Sequence, residues 1–222
     1  DRIGRSAKPF TICFLGAVNL SLPVNATAVK TLSAAAVDAA GLPTEPISVT
    51  PANVAARRGA ILGLYSGGTL AAEAQLILLA QGRSVAANAA VPGAAGLAQA
   101  APGADCVLDL GADEFTRGRP HPMIDPADRA DRLRAALADM TLAVILLDIV
   151  IGFGAHADPA AAIAAALTKA ASDRPHVIAS VTGTEADPQV RSRQIASLRA
   201  AGVLVAASNA AAAELAVSLA QP

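Results

Sequence analysis

Apolar runs alternate with patterns of helical period along most of this 222-residue chain, and such alternation predicts an α/β fold around a parallel sheet. Asp-Pro pairs also recur at Asp125, Asp158 and Asp187, each just before a helical pattern. Asp caps helices and Pro is tolerated in their first turn, so these pairs predict helix starts. A glycine-rich turn, Ser66–Thr69, then joins the first buried strand to a helix. We therefore expect a doubly wound parallel sheet of flavodoxin-like type, with strand order 2-1-3-4-5.

Each element of this domain is predicted from its period and from the residues at its ends. The predicted strands are Ala60–Tyr65, Cys106–Leu110, Leu142–Val150, His176–Thr182 and Val203–Ala206. The predicted helices are Thr69–Gln81, Pro126–Met140, Pro159–Ala171, Pro188–Ala201 and Asn209–Ala220. Between Ser84 and Asp105, a segment rich in Ala, Gly and Pro is a candidate for a short helix.

The amino-terminal part of the chain forms a separate piece in this prediction. Pro9–Gly16 has the pattern of a strand, and Thr27–Ala40 that of a helix ended by Gly41. This βα unit has no predicted parallel partner of its own. It is either an extra edge unit or, as we favour, the tail of a preceding domain that this chain lacks. The expected domains are therefore residues 1–50, the strand–helix remnant, and residues 57–222, the flavodoxin-like domain.

Composition excludes several classes of function. A net charge of -1 provides no field to attract nucleic acid or an anionic membrane, and 2% aromatic residues provide no platform for base stacking. No apolar run reaches membrane-spanning length, and the first residues do not resemble a signal peptide. Cys13 and Cys106 lie in apolar runs, which favours buried free thiols. We expect a cytoplasmic protein with neither nucleic-acid nor membrane partners.

Three loops rich in small residues follow predicted strands and lead into helices. In a doubly wound sheet these loops face one crevice at the carboxyl ends of the strands. Glycines there let backbone N–H groups approach a ligand, and helix N-termini favour anions. The candidate ligands of a carboxylate or phosphate are Ser66, Gly67, Gly68, Thr69, Gly152, Gly154, Thr182, Gly183 and Thr184. The alternative for each turn is a tight βα connection without a ligand.

A long polar loop, Asp109–Asp125, follows the second predicted strand. Arg117 and Arg119 have the chemistry to fork onto a carboxylate or phosphate, although a solvated loop with internally paired charges is the alternative. His121 lies between two prolines and His156 lies in a predicted crevice loop, so both are candidate catalytic proton donors. No histidine or cysteine has a partner at metal-ligand spacing, so no metal site is expected.

Four stretches of the sequence form a recognisable set: Gly63-Leu-Tyr-Ser-Gly-Gly-Thr-Leu70, Gly118-Arg-Pro-His-Pro-Met-Ile-Asp-Pro126, Gly152-Phe-Gly-Ala-His-Ala-Asp-Pro159 and Gly183-Thr-Glu-Ala-Asp-Pro-Gln189. Together they resemble the FdrA family, which is related to succinyl-CoA synthetase. The similarity covers about residues 8–220. From Arg57 onward the chain resembles the ligase-CoA domain at the carboxyl end of the synthetase β-subunit, and residues 8–42 resemble the end of the preceding ligase domain.

The resemblance implies a role in acyl-CoA chemistry that this chain does not complete alone. It implies that the loop from Gly152 to His156 binds the substrate carboxylate, and that the helix start at Gly183 to Asp187 holds a phosphorylated intermediate. The family's phosphohistidine loop has no counterpart here, since Thr182 and Thr184 stand in its place. No ATP-grasp segment and no amino-terminal CoA-binding domain are present in the sequence.

Three functions follow as expectations. The first is an FdrA-like acyl-CoA synthetase component that binds a small carboxylate or phosphorylated intermediate, with Arg119 and His121 closing over it. The alternatives are a component of an oxamate carbamoyltransferase in allantoin degradation and a non-catalytic interaction subunit. No cofactor is expected in this chain, while CoA and ATP, or carbamoyl phosphate, belong to the full assembly. That assembly is expected to be a homo- or hetero-oligomer with CoA-binding or transferase partners.

Overall fold

Strands and helices alternate in the computed structural model, which describes residues 2–41, 54–168 and 170–221. The strands are β1 (Phe10–Ile12), β2 (Ala26–Ala28), β3 (Arg57–Arg58), β4 (Ala60–Tyr65), β5 (Val85–Ala87), β6 (Ala95–Gly96), β7 (Asp105–Asp109), β8 (Leu142–Val150), β9 (His176–Thr182), β10 (Leu204–Ala206) and β11 (Ala220–Gln221). The α-helices are α1 (Leu32–Ala40), α2 (Gly68–Ala80), α3 (Asp113–Thr116), α4 (Ala127–Leu137), α5 (Pro159–Leu167), α6 (Arg191–Ala200) and α7 (Asn209–Leu219). The chain divides into two compact units, Asp1–Ile47 and Ser48–Pro222.

The larger unit is built on seven parallel strands in the order β10-β9-β8-β4-β7-β5-β6. Counted over the five predicted strands, this is the order 2-1-3-4-5, so the predicted flavodoxin-like fold is confirmed. The segment from Ser84 to Asp105 adds strands β5 and β6 at one edge, beside a 3-10 turn at Leu97–Gln99. Its Ala- and Gly-rich sequence has no strand period, and β5 is instead specified by pairing with β7.

Apolar layers cover both faces of this sheet, as a doubly wound fold requires. One layer packs Leu78 of α2 and Leu215 of α7 against the sheet. The other packs Leu133 of α4, Ile163 of α5 and Leu198 of α6. Strand β8 lies at the centre, and every residue of it before Val150 is buried. Within the described ranges no helix is long and apolar enough to cross a membrane.

The three Asp-Pro pairs behave differently in the structure. Asp158 caps α5 as predicted, because its side chain accepts from the N–H of Ala161 at 3.2 Å and Pro159 is the first helical residue. Asp125 accepts from Ala127 at 3.0 Å, but α4 begins one residue later than predicted. Asp187 as the cap of α6 is wrong, since α6 begins at Arg191. Nearer donors in its own loop engage the Asp187 carboxylate instead.

The smaller unit contains a strand pair that the sequence did not predict. Strands β1 and β2 are parallel, with Phe10 opposite Ala26, so the expectation of a strand without a parallel partner is wrong. Strand β2 occupies the start of the predicted helix, which begins later because Thr31 caps it by accepting from the N–H of Ala34 at 3.1 Å. Gly41 ends α1, as predicted, and the structure shows it in the left-handed conformation.

Candidate anion site at the carboxyl edge of the sheet

Loops from four neighbouring strands meet at the carboxyl edge of the main sheet. The backbone N–H of His156, after β8, donates to the carbonyl of Met123, after β7, at 2.7 Å. The loop after β7 also approaches the turn after β4, since a Cβ on Gly111 would lie 2.7 Å from the carbonyl oxygen of Ser66. After β9, Gln189 bonds to the loop after β8. This edge is where ligands bind in open α/β sheets.

The turn between β4 and α2 presents an open helix N-terminus. Gly67 is the N-cap, and no side chain accepts from the first turn of α2. Gly68 and Thr69 are exposed, so the first turn of α2 lies at the surface, at the end where the helix dipole places its partial positive charge. The other described helices of eight or more residues each have an acceptor side chain near the start: Thr31 for α1, Asp125 for α4, Asp158 for α5, Glu185 for α6 and Ser208 for α7.

A buried network of charged groups lies directly beneath this turn. The Asp148 carboxylate accepts from the backbone N–H of Ser66 at 2.8 Å and from its hydroxyl at 2.6 Å. Arg129, which enters from α4, donates to an Asp148 carboxylate oxygen at 2.8 Å and to the Asp148 carbonyl at 2.6 Å. All three residues are almost completely buried. The Ser66 side chain therefore points inward, and the open N–H groups belong to the glycines and Thr69.

Asp109 places a carboxylate beside the open N-terminus. One of its oxygens accepts from the N–H of Gly111 at 2.9 Å, and the other lies 3.0 Å from the position that a Cβ on Gly68 would take. Asn88 bonds to the backbone of Asp109 on both sides, at 2.8 and 3.0 Å, and holds it in place. Burial raises the pKa of Asp109, and Asp148 raises it further, while the Gly111 N–H and His121 lower it.

Both candidate histidines lie at this edge, and backbone donors orient them. The Nδ1 atom of His121 accepts from the N–H of Met123 at 3.2 Å, and Nδ1 of His156 accepts from the N–H of Asp158 at 3.1 Å. In the neutral ring the proton therefore resides on Nε2 in both residues. The Nε2 atom of His121 lies 2.6 Å from a Cβ position on Gly111, beside Asp109. His121 is thus positioned as a donor next to the α2 N-terminus.

Gln189 joins the loops after β8 and β9. Its amide group accepts from the N–H of Gly152 at 3.1 Å and donates to the carbonyls of Gly152 and His156 at 3.0 and 3.1 Å. Gln194 continues the chain of bonds, because it donates to the Gln189 carbonyl and accepts from the N–H of Ala160 at the start of α5. Both glutamines are buried. The backbone of His156 is therefore held by the loop after β7, through Met123, and by the loop after β9, through Gln189.

The predicted anion nest after β9 already contains a carboxylate. Asp187 accepts from the N–H of Thr184 at 2.5 Å and from its hydroxyl at 3.0 Å. Gly183 has φ +147, and a Cβ there would collide with the Ile151 side chain, so only glycine fits. Thr182 and Thr184 are exposed. This loop has fewer hydrogen-bond donors for an external anion than the α2 N-terminus has, because Asp187 already accepts from both Thr184 donors.

Neither candidate arginine forms a hydrogen bond or ion pair with the α2 turn among the described residues. Arg119 pairs with Asp128 of α4 at 3.3 Å, and its side chain is largely exposed. Arg117 borders a separate cavity of about 600 Å³ whose other lining residues are Asn88, Ala112, Asp113 and Glu114. Exposed pairs such as Arg119–Asp128 are weak, so Arg119 can exchange partners.

Apolar side chains project from the rim of the site. Gly152 and Gly154 both have positive φ, at +136 and +86, and the tight turn they form presents Phe153 to solvent with 93% of its surface exposed. Ile124, in the neighbouring loop, is 57% exposed. The predicted substrate loop therefore has an apolar rim that the described residues leave uncovered.

Several residues that organise the edge are not among the candidates that the sequence predicts. They are Asp109, Arg129, Asp148 and Gln189. Of these, Asp148 has a signal in the sequence, because an acidic residue inside the apolar run Leu142–Val150 needs a partner when it is buried. No cluster of metal-binding side chains occurs among the residues that the structure describes.

The sheet topology and the loops at its carboxyl edge together define a doubly wound α/β domain with a small polar site at its strand ends. The chain belongs to the CoA-ligase family, whose model matches residues 64–219, and so to a family of ligase-type enzymes. It is also 41% identical over 108 residues to Uncharacterized protein YahF of Escherichia coli (strain K12). That alignment covers 46% of this chain and 21% of the relative, so it spans about a fifth of the relative's length.

Proposed function

We propose that this domain is the FdrA-like component of an acyl-CoA synthetase and binds a small carboxylate or phosphorylated intermediate at the N-terminus of α2. The observation that carries the proposal is the open first turn of α2, at the carboxyl edge of a sheet of the CoA-ligase family. Uncapped N–H groups and the helix dipole together favour a bound anion.

The residues around α2 have complementary roles in this proposal. Gly67 and Gly68 let the anion approach the backbone, and the Thr69 hydroxyl adds a donor. His121 donates its Nε2 proton from the side of Asp109, and His156 serves the neighbouring loop. Arg119 moves from Asp128 to the ligand when the loop closes.

Partners complete the reaction. CoA and ATP are supplied by other domains or subunits, in keeping with an alignment that spans about a fifth of the relative. Exposed Phe153 and Ile124 at the rim support docking of such a partner over the site, since exposed apolar side chains that cluster together mark interaction surfaces.

A substitution of Gly67 tests the anion site directly. No atom lies within 4 Å of a Cβ built on Gly67, and its backbone is extended, so Gly67→Asp supplies the missing cap with an internal carboxylate. We expect calorimetric affinity for phosphate or succinate to fall about tenfold or more, while the free energy of unfolding changes by only about a few tenths of a kcal/mol. Gly67→Ala, which adds a Cβ but no acceptor, is the matched control and should lose less affinity than Gly67→Asp.

Two results would contradict the proposal. Unchanged anion affinity in Gly67→Asp would place the ligand elsewhere on the domain. Failure of the unaltered chain to bind phosphate, succinate, oxamate or carbamoyl phosphate would favour a non-catalytic interaction subunit.

One observation favours the oxamate carbamoyltransferase alternative. The Asp109 oxygen next to Gly68 accepts no hydrogen bond from the described residues, and a carboxylate there suits a ligand that carries an N–H donor beside its anionic group. Oxamate and pyruvate have similar shape and charge, but only oxamate carries an amide N–H. Calorimetric titration of the unaltered chain with oxamate and with pyruvate tests this alternative. A clear preference for oxamate supports it, whereas equal affinity opposes it.

A further inference from the structure

We propose that Arg129 and Asp148 are positioning residues, which hold the Ser66–Gly67 turn so that the first N–H groups of α2 converge on the anion. The inference rests on the proposed anion site. Neither residue reaches the ligand in this proposal, because both are buried beneath the turn.

The need for a positioning device follows from the glycines. Gly67 and Gly68 have more backbone freedom than any other residue type, so the turn cannot hold its own shape. Ser66 is the last residue with a side chain before them, and Asp148 binds both its N–H and its hydroxyl. These two hydrogen bonds to Asp148 fix the orientation of Ser66, and the orientation of Ser66 sets the direction of the Gly67 and Gly68 peptides that follow.

Arg129 keeps this anchor compatible with an anion. An unpaired Asp148 carboxylate under the turn would repel a negatively charged ligand. Arg129 donates to both the carboxylate and the carbonyl of Asp148, which neutralises the charge and locks the acceptor in place.

The chain contains a matched pair at the other end of the same strand. There Asp105 accepts from the N–H of Ile61 at 2.8 Å and pairs with Arg83 through two bonds of 2.6 and 2.7 Å. Asp105 and Asp148 are equally buried, and each holds one end of β4 by a backbone N–H. The Arg83–Asp105 pair lies at the amino end, away from the candidate site, so it has the same structural role without the positioning role.

The experiment compares Asp148→Asn with Asp105→Asn in the full chain. Asp148→Asn leaves Arg129 uncompensated, so charge alone would tighten anion binding, whereas loss of positioning weakens it. We expect the calorimetric Kd for phosphate to rise about tenfold or more in Asp148→Asn and to stay within about twofold in Asp105→Asn. Thermal unfolding of both variants measures the structural loss, which should be larger in Asp148→Asn because Arg129 is more deeply buried than Arg83.

Amide hydrogen exchange gives a readout that needs no ligand. Exchange at Ser66 and at Ala71, whose N–H groups donate to Asp148 and to the Gly67 carbonyl, should accelerate in Asp148→Asn and remain unchanged in Asp105→Asn. Ser66→Ala, which removes only the hydroxyl bond, provides a milder variant if Asp148→Asn does not fold, and the same shifts are expected in smaller measure.

The outcomes separate this inference from the proposed function. Binding by Asp148→Asn that equals or exceeds that of the unaltered chain overturns the positioning role and leaves the anion site standing. Equal weakening in Asp105→Asn also overturns it, because the effect would then be general destabilisation. If the unaltered chain binds no phosphate, the proposed site fails, and unchanged exchange in Asp148→Asn would overturn the positioning role as well.

Discussion

Single carboxylates set the electrostatics of the carboxyl edge. Asp187 occupies the donors after β9, Glu185 accepts from the first turn of α6, and Asp158 caps α5. An external anion at any of these three points would meet a resident negative charge. Asp109 places a carboxylate beside the α2 turn as well, but it accepts from none of the first N–H groups of the helix, so those donors stay available. Carboxylate side chains thus occupy the donors at three positions and leave those of the fourth open.

The buried Asp109 carboxylate also makes a prediction about pH. Burial raises its pKa in the folded protein, with Asp148 and Glu114 adding to the shift against the lowering by Gly111 and His121. The folded state then binds the proton more tightly than the unfolded state, so this group's contribution to stability falls as pH rises from the unfolded to the folded pKa. We expect Asp109→Asn to gain stability relative to the unaltered chain as pH rises from about 4 to 7.

Urea unfolding of both proteins across this range measures the difference. Asp113→Asn, at an exposed acidic residue nearby, controls for the removal of one carboxylate. A stability difference for Asp109→Asn that stays constant with pH, or moves in the opposite direction, would contradict the assigned shift.

The long elements of the fold were predictable, and the short ones were not. Strands β4, β8 and β9 have the predicted bounds, because each is a continuous apolar run buried on both faces. Strands β2, β5 and β6 have three residues or fewer and form only through pairing, which no local pattern records. The strand order followed from the alternation of strands and helices, since few connections suit such a sheet.

For the site, local sequence indicated the turn but not what holds it. Gly67 and Gly68 mark the turn by themselves. Arg129 belongs to α4, where Arg132 and Arg134 are also charged, and such a helix has the pattern of a solvated face. Only the tertiary structure shows that Arg129 turns inward to meet Asp148 on β8.

Helix α6 begins at a strained residue. Val190 has φ +57 and ψ +105, a conformation that costs a β-branched residue energy, and the bonds of Gln189 and Gln194 hold it there. We expect Val190→Gly to be more stable than Val190→Ala by about 1 kcal/mol, because both lose the same methyl groups but only glycine relieves the backbone.

Chemical unfolding of the two variants gives this difference. Ala196→Gly, at an exposed position inside α6, provides the reference, and should lose about 1 kcal/mol as glycine ordinarily does in a helix. If Val190→Gly is less stable than Val190→Ala, the positive φ is not a source of strain.

The two compact units differ in how much apolar surface they bury. The larger unit has two apolar layers around seven strands. In the described part of the smaller unit, Ile12 is the one buried hydrophobic residue, while Phe14, Val18 and Val24 are exposed. Stability follows buried apolar area, so the two units should differ widely in their resistance to opening.

Hydrogen exchange on the full chain tests this difference. Amides of β8, such as Leu146 and Leu147, should exchange only through global unfolding and show a steep dependence on denaturant. Amides of β1, such as Phe10, whose N–H donates to the Asn25 carbonyl, should exchange through local opening at much lower free energy, because a two-stranded pair is marginal in water. Strand β5, which is short and lies next to the edge strand β6 of the main sheet, should fall between them. Equal free energies and equal denaturant dependence for β1 and β8 would instead show that both units unfold in one cooperative step.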